Sequence, residues 1–264
     1  MLPPQLALEW KLWILVNGLP AIFAATMFLV YPPFALKFGW NVVPRASAIL
    51  MGVGFLMRAA MYLQQLTAGA YQEMRWLHWG NIVFAAVLLG TTCVWGDTFH
   101  WRRFIAIAWL FLYIEEPVWM LTLLPQSEAA VAGQVLPGGP VNMLLQGTLF
   151  VEAAIMLVFG IALFLWPRWK NILSWTPDHT SAKILAGWPL SYALWAPTLA
   201  LAPSFAESRG GIIVNIIWLA ATAVALLVFR KEFDWSHRST KIIFGVSAVL
   251  AVLLIVGVVV QPSP

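Results

Sequence analysis

The sequence predicts an all-α fold, a polytopic integral membrane bundle of about eight transmembrane helices with both termini outside the cytoplasm. Three observations carry that reading: an extreme composition, eight apolar windows of spanning length, and a lopsided distribution of Lys and Arg among the connections. Of 264 residues, 61% are apolar or aromatic and only 10% are charged. Soluble domains run at roughly 45–50% apolar and about 25% charged, so 15 basic and 11 acidic side chains are too few to cover a soluble surface of this size. Intrinsic disorder, which needs low hydrophobicity and high charge, is excluded by the same figures.

A membrane-crossing helix needs about 20 mostly apolar residues. Eight windows meet that length, at 12–31, 46–66, 76–95, 103–124, 143–166, 184–202, 210–229 and 241–260, within a single transmembrane domain covering 1–264. Turn-forming residues separate them: Pro32-Pro33, Gly69, Gly96-Asp97, Pro125, Pro167, Pro177-Asp178 and Pro203-Ser204. The sixth window contains Pro189 and Pro197, which membrane helices accommodate when neighbours satisfy the freed carbonyls. The segment from Met1 to Trp13 lacks a basic region and a small-residue cleavage site, so the first apolar run is expected to be retained as a helix.

Orientation follows from the basic residues. The connections after windows one, three, five and seven hold Lys37, Arg45, Arg102, Arg103, Arg168, Lys170, Lys183, Arg230, Lys231, Arg238 and Lys241; the opposite side holds only Lys11, Arg75 and Arg209. The positive-inside rule then puts the first set in the cytoplasm and places the protein in an inner or plasma membrane. The net charge of +4 is scattered between apolar runs rather than gathered on a face, which argues against a nucleic-acid partner. Expected partners are the lipid bilayer and other proteins within the membrane. Trp101, Trp166, Trp169, Trp175 and Trp235 are expected in a cytoplasmic aromatic belt, and Trp76, Trp79, Trp119 and Trp195 near the outer interface. The longest connection, Pro125 to Asn142, is either a surface connector or a lid over the outer face.

Charges inside spans cost about 2.5–3.5 kcal/mol each on insertion scales. Four occur here: Arg58, Glu115, Glu116 and Glu152. At 1.5 Å rise per residue they share one depth, slightly outward of the midplane, and are read as one site. Ser47, Gly54, Arg58, Tyr62 and Gln65 form a polar stripe on the second span, with Gly54 allowing close approach. His78 and Asn81 share a face of the third span, Tyr113 precedes Glu116 by three residues, and Thr148 lies one turn from Glu152. Pro117 frees a backbone acceptor near the carboxylates. Three carboxylates against one guanidinium leave a surplus that should either hold protons or neutralise a bound cation. The candidate ligand- or proton-binding residues are therefore Arg58, Tyr62, His78, Asn81, Tyr113, Glu115, Glu116, Thr148 and Glu152.

Several chemistries find no motif. One cysteine, Cys93, excludes an internal disulfide and a Cys-based zinc site. Three of the four histidines, His100, His179 and His237, sit at the cytoplasmic edge, which disfavours paired haem ligation, and every Lys lies in a loop or at a helix end, which disfavours a buried Schiff base. P-loop, H-E-x-x-H and G-x-S-x-G patterns are absent. A metal site from Glu115, Glu116, Glu152 and His78 is chemically conceivable but lacks the paired Glu-x-x-His motifs of di-iron bundles, and none is assigned. Glu115-Glu116 on the fourth span resembles the start of the E-E-x-x-x-R motif of the CPBP intramembrane proteases, but the arginine and both histidine motifs are missing, so protease activity does not carry over. No cofactor is named by the sequence. Three function classes remain: a non-catalytic subunit of a larger membrane complex, ranked first because both a repeat and a catalytic motif are missing; a proton- or cation-coupled carrier; and an intramembrane acid/base enzyme on a lipid or isoprenoid. The enzyme class requires an apolar cleft reaching the carboxylates from the lipid phase.

Overall fold

Eight long helices account for most of the chain in a computed structural model, which describes residues 2–165 and 173–262. They are α1 (Pro4–Val30), α2 (Arg45–Thr67), α3 (Leu77–Val94), α4 (Phe104–Ala130), α5 (Met143–Phe164), α6 (His179–Ala200), α7 (Phe205–Val228) and α8 (Arg238–Val259). No strand occurs among the described residues. Six of the eight (α1, α2, α4, α5, α7 and α8) are long and apolar enough to cross a membrane. Trp166, Pro167, Arg168, Trp169 and Lys170 lie outside the described residues.

Local chemistry explains the boundaries. Asn142, Asp178 and Ser204 each cap a helix by accepting from the backbone N–H three residues on, at 2.9, 2.9 and 3.4 Å. Two boundaries differ from the sequence expectation. α1 starts at Pro4 rather than near residue 12, because Pro suits the first helical position and Leu6 and Trp10 bury against the bundle while Lys11 stays exposed. α4 runs through Pro125 to Ala130 instead of stopping there. Its last turn is held by tertiary contacts: Ser127 accepts from the Trp10 indole at 2.8 Å and Glu128 from the Tyr71 hydroxyl at 3.0 Å. The connection to α5 is consequently shorter than expected and is tied down, with the Leu136 N–H donating to Glu207 and the Asn142 N–H to Gln261.

Helix neighbours form a closed ring in the order α1, α2, α7, α8, α5, α6, α3, α4 and back to α1, with α6 also touching α2 and α7 across the middle. α2 is the most enclosed of the six apolar helices, and α4 and α8 the least. Close approach at α2 comes from Gly54, where any Cβ would overlap the Trp188 indole. The interior is unusually aromatic, and this corrects the belt assignment. Trp76, Trp175 and Trp195 are buried, Trp76 packing edge-on against Trp195 at 5.9 Å and Trp175 donating to Ser47 at 3.0 Å. Indole size and a satisfiable N–H make Trp as useful between helices as at an interface. Trp79 and Trp101 do remain exposed.

Candidate functional site: an apolar cleft ending on Arg58 and Glu116

α2, α3 and α4 bring four of the sequence-selected side chains together. Arg58 Nη2 lies 2.5 Å from Glu116 Oε1 and also donates to the Tyr62 hydroxyl, one turn along α2. Its Nη1 donates to Asn81 Oδ1 at 3.4 Å, and the guanidinium carbon stands 4.3 Å from the centre of the Phe84 ring. Tyr62 in turn donates to Glu116 at 3.2 Å. Every one of these polar side chains is almost fully buried. A charged, hydrogen-bonded pair is the arrangement in which an ionised Arg and Glu can be held away from water.

Tyr113 lines the same cleft as Arg58 and Glu116, and the other four candidates divide into three places. Glu115 points away from Arg58, as consecutive helical residues must; its Oε2 accepts from Asn17 of α1 at 3.3 Å and its Oε1 has no partner. His78 joins a separate cluster at the end of the bundle near Tyr71: its ring stacks on Trp10 at 4.9 Å and its Nδ1 lies 3.1 Å from the Tyr71 hydroxyl. Glu152 and Thr148 lie on α5, which packs on α6 and α8 rather than on α4. The expectation of one four-charge site is therefore corrected. Glu152 Oε2 accepts from Asn215 of α7 at 2.5 Å, Glu152 Oε1 and Asn215 Oδ1 have no partner, and Thr148 donates only to the Leu144 carbonyl. Depth along the membrane normal can be counted from the sequence, but azimuth around the ring cannot. Among the described residues, no three His, Cys, Asp or Glu side chains converge on a common point, so the conceivable Glu115/Glu116/Glu152/His78 metal site does not assemble.

A cavity of about 450 Å³ opens between α1 and α4, at the seam that closes the ring. Its walls are apolar, from Pro20, Phe23 and Ala24 on α1, Phe55 on α2, and Phe104, Ala108, Trp109 and Leu112 on α4. Leu19 and Phe23 on α1 and Phe111 on α4, all lining residues within the helices, are exposed, so the cleft opens on the side of the bundle. Asn17, Arg58, Tyr113 and Glu116 are the polar lining residues. Phe104, the first residue of α4, and Glu116 stand roughly 18 Å apart along the helix axis, so the cleft runs lengthwise beside α4 to its polar end. Tyr113 packs edge-on to Trp109 at 4.5 Å and so fixes the wall beside the ion pair.

Three contributors escaped the sequence reading. Asn17 and Asn215 are lone mid-span amides, and an intramembrane amide is itself a signal of a buried partner. Tyr192 of α6 is buried with an unpartnered hydroxyl, stacked on Trp218 at 3.9 Å.

No protein family, curated protein or solved structure matches this chain.

Proposed function

We propose that this protein crosses an inner or plasma membrane eight times, with both termini outside the cytoplasm, and takes an apolar chain molecule of the lipid or isoprenoid class from the bilayer into the α1–α4 cleft. The polar end of that molecule meets Arg58, Glu116, Tyr113 and Asn17. One observation carries the reading: a sideways-opening apolar cavity whose inner end is a buried ion pair. Pockets that combine mostly apolar walls with a few convergent polar groups are how proteins orient such ligands. A helix lock needs the Arg58–Glu116 pair but has no use for a cleft leading to it, so this reading displaces the complex subunit as the leading one. A carrier would be expected to break its helices at the site, whereas α4 continues through Pro117.

Acid/base chemistry on the bound molecule is the second reading, favoured by the Glu116 carboxylate and Tyr113, which line the cleft together. The neighbouring Glu115 points away from this pair and is not among the residues that line the cleft. The test of binding is mass spectrometry of organic extracts from protein purified in mild detergent. A discrete amphiphile should accompany the wild type and be depleted in Ala108→Phe, which fills the cleft without touching the ion pair. Extracts with the same lipid profile for both proteins would refute it.

A further inference from the structure

A second hollow lies apart from the cleft, at the end of the bundle that carries the α2–α3 and α6–α7 connections. It has a volume of about 440 Å³ and a wide mouth between α3, α4 and α6, with the indoles of Trp76 and Trp79 in its wall. Its polar lining can be sorted by what is already satisfied. Arg75 is neutralised by Glu207 at 2.5 Å, and the other oxygen of Glu207 accepts from the Leu136 N–H at 3.0 Å. Glu128 has no basic partner among the described residues; it accepts one hydrogen bond, from Tyr71. Gln72 is 97% buried, lines the hollow, and its Oε1 has no partner. Thr198 spends its hydroxyl proton on the carbonyls of Trp195 and Trp76.

What remains unsatisfied is one negative charge and one buried amide acceptor beside two indoles. An anion would meet Glu128 and no free cation. A neutral apolar ligand would leave Gln72 Oε1 and Glu128 desolvated without compensation. A cation with N–H donors satisfies all three features, since an ammonium donates to carboxylate and amide oxygens and is attracted to indole faces. We propose that this hollow binds an organic primary ammonium group. Two acceptors favour a primary over a quaternary ammonium, which has no N–H to give. The group could be carried by a free amine or by an amine-bearing lipid headgroup at the membrane surface, and the chemistry at the site is the same.

The test uses the full chain in two arms. In detergent, ethanolamine and tetramethylammonium are titrated by isothermal calorimetry against wild type, Glu128→Gln and Trp79→Ala; Trp79 is exposed, so its replacement spares the fold. In nanodiscs, native mass spectrometry compares retention of phosphatidylethanolamine with that of phosphatidylglycerol. Saturable ethanolamine binding, weakened roughly tenfold by either substitution and exceeding tetramethylammonium binding by a similar factor, is the result expected for a free amine. Selective retention of phosphatidylethanolamine, lost in both variants, is the result expected for a headgroup. Absence of both signals, or signals indifferent to Glu128→Gln and Trp79→Ala, would overturn the proposal, as would tetramethylammonium binding as tightly as ethanolamine.

Discussion

Arg58 Nη2 stands 2.5 Å from Glu116 Oε1 where the two side chains are only 4% and 1% exposed. Neither charge has water to fall back on, so the value of each depends on the other. Glu152, at similar depth but across the ring, has Asn215 as its partner and no basic residue among those described. The two carboxyls should therefore respond very unequally to the same substitution.

Glu116→Gln is expected to destabilise the fold by about 3–5 kcal/mol, because it strands a buried guanidinium. Glu152→Gln should change stability by less than about 1 kcal/mol: it strands no cation, and a Gln amide can accept from the Asn215 amide through its oxygen and donate to the unpartnered Asn215 Oδ1. Thermal melts in one detergent across the Glu→Gln series, with Glu115→Gln included, measure the difference. Equal losses at Glu116 and Glu152 would show that the charge assignment is wrong.

Ser127→Ala should cost about 1–3 kcal/mol, since the buried Trp10 indole would lose its acceptor. The same change should loosen the last turn of α4, which is read as faster amide exchange at residues 126–130 with the rest of α4 unaffected.

Tyr71 lies outside the spanning helices, and burial, reinforced by the Glu128 carboxylate beside it, raises its phenol above the ordinary value. A group whose ionisation is pushed up by folding contributes fully below the unfolded value of about 10 and loses that contribution as pH rises beyond it. Tyr71→Phe should flatten the alkaline limb of the stability–pH curve, and an unchanged limb would contradict the buried, protonated phenol.

Sidedness is testable by cysteine labelling after Cys93→Ser. With eight crossings and both termini outside, Gln134→Cys should react with an impermeant external reagent, whereas Asp97→Cys and Lys231→Cys should react only after permeabilisation. All three positions are exposed. The reversed pattern would invert the topology.

The six helices apolar enough to cross a membrane were legible because such a segment must be apolar along its whole length, and α5, α6 and α7 start at the capping residues Asn142, Asp178 and Ser204 visible in the sequence. Arg58 with Glu116 was legible too, since a mid-membrane guanidinium demands a carboxylate at its own depth. Ring order was not. Glu152 shares that depth yet faces Asn215, because α5 is placed by its packing on α6 and α8, and residue counting carries no information about rotation around the bundle. The buried Trp76, Trp175 and Trp195 were hidden for a related reason: near a span end, an indole packed between helices and one at the lipid interface look alike in sequence. The cleft was invisible, because it is made by what α1 and α4 fail to fill between them.

The most direct measurement is photo-crosslinking from within the cleft. Benzoylphenylalanine would replace Phe23, at the cleft rim, and in a control Val158, exposed on α5, each in protein irradiated in native membranes and analysed by intact mass spectrometry. A bound lipid-phase molecule predicts one dominant adduct mass at Phe23 that disappears when Ala108→Phe is added, against a spread of bulk-lipid adducts at Val158. The same bulk-lipid spread at both positions, unchanged by Ala108→Phe, would mean that the cleft holds no particular ligand.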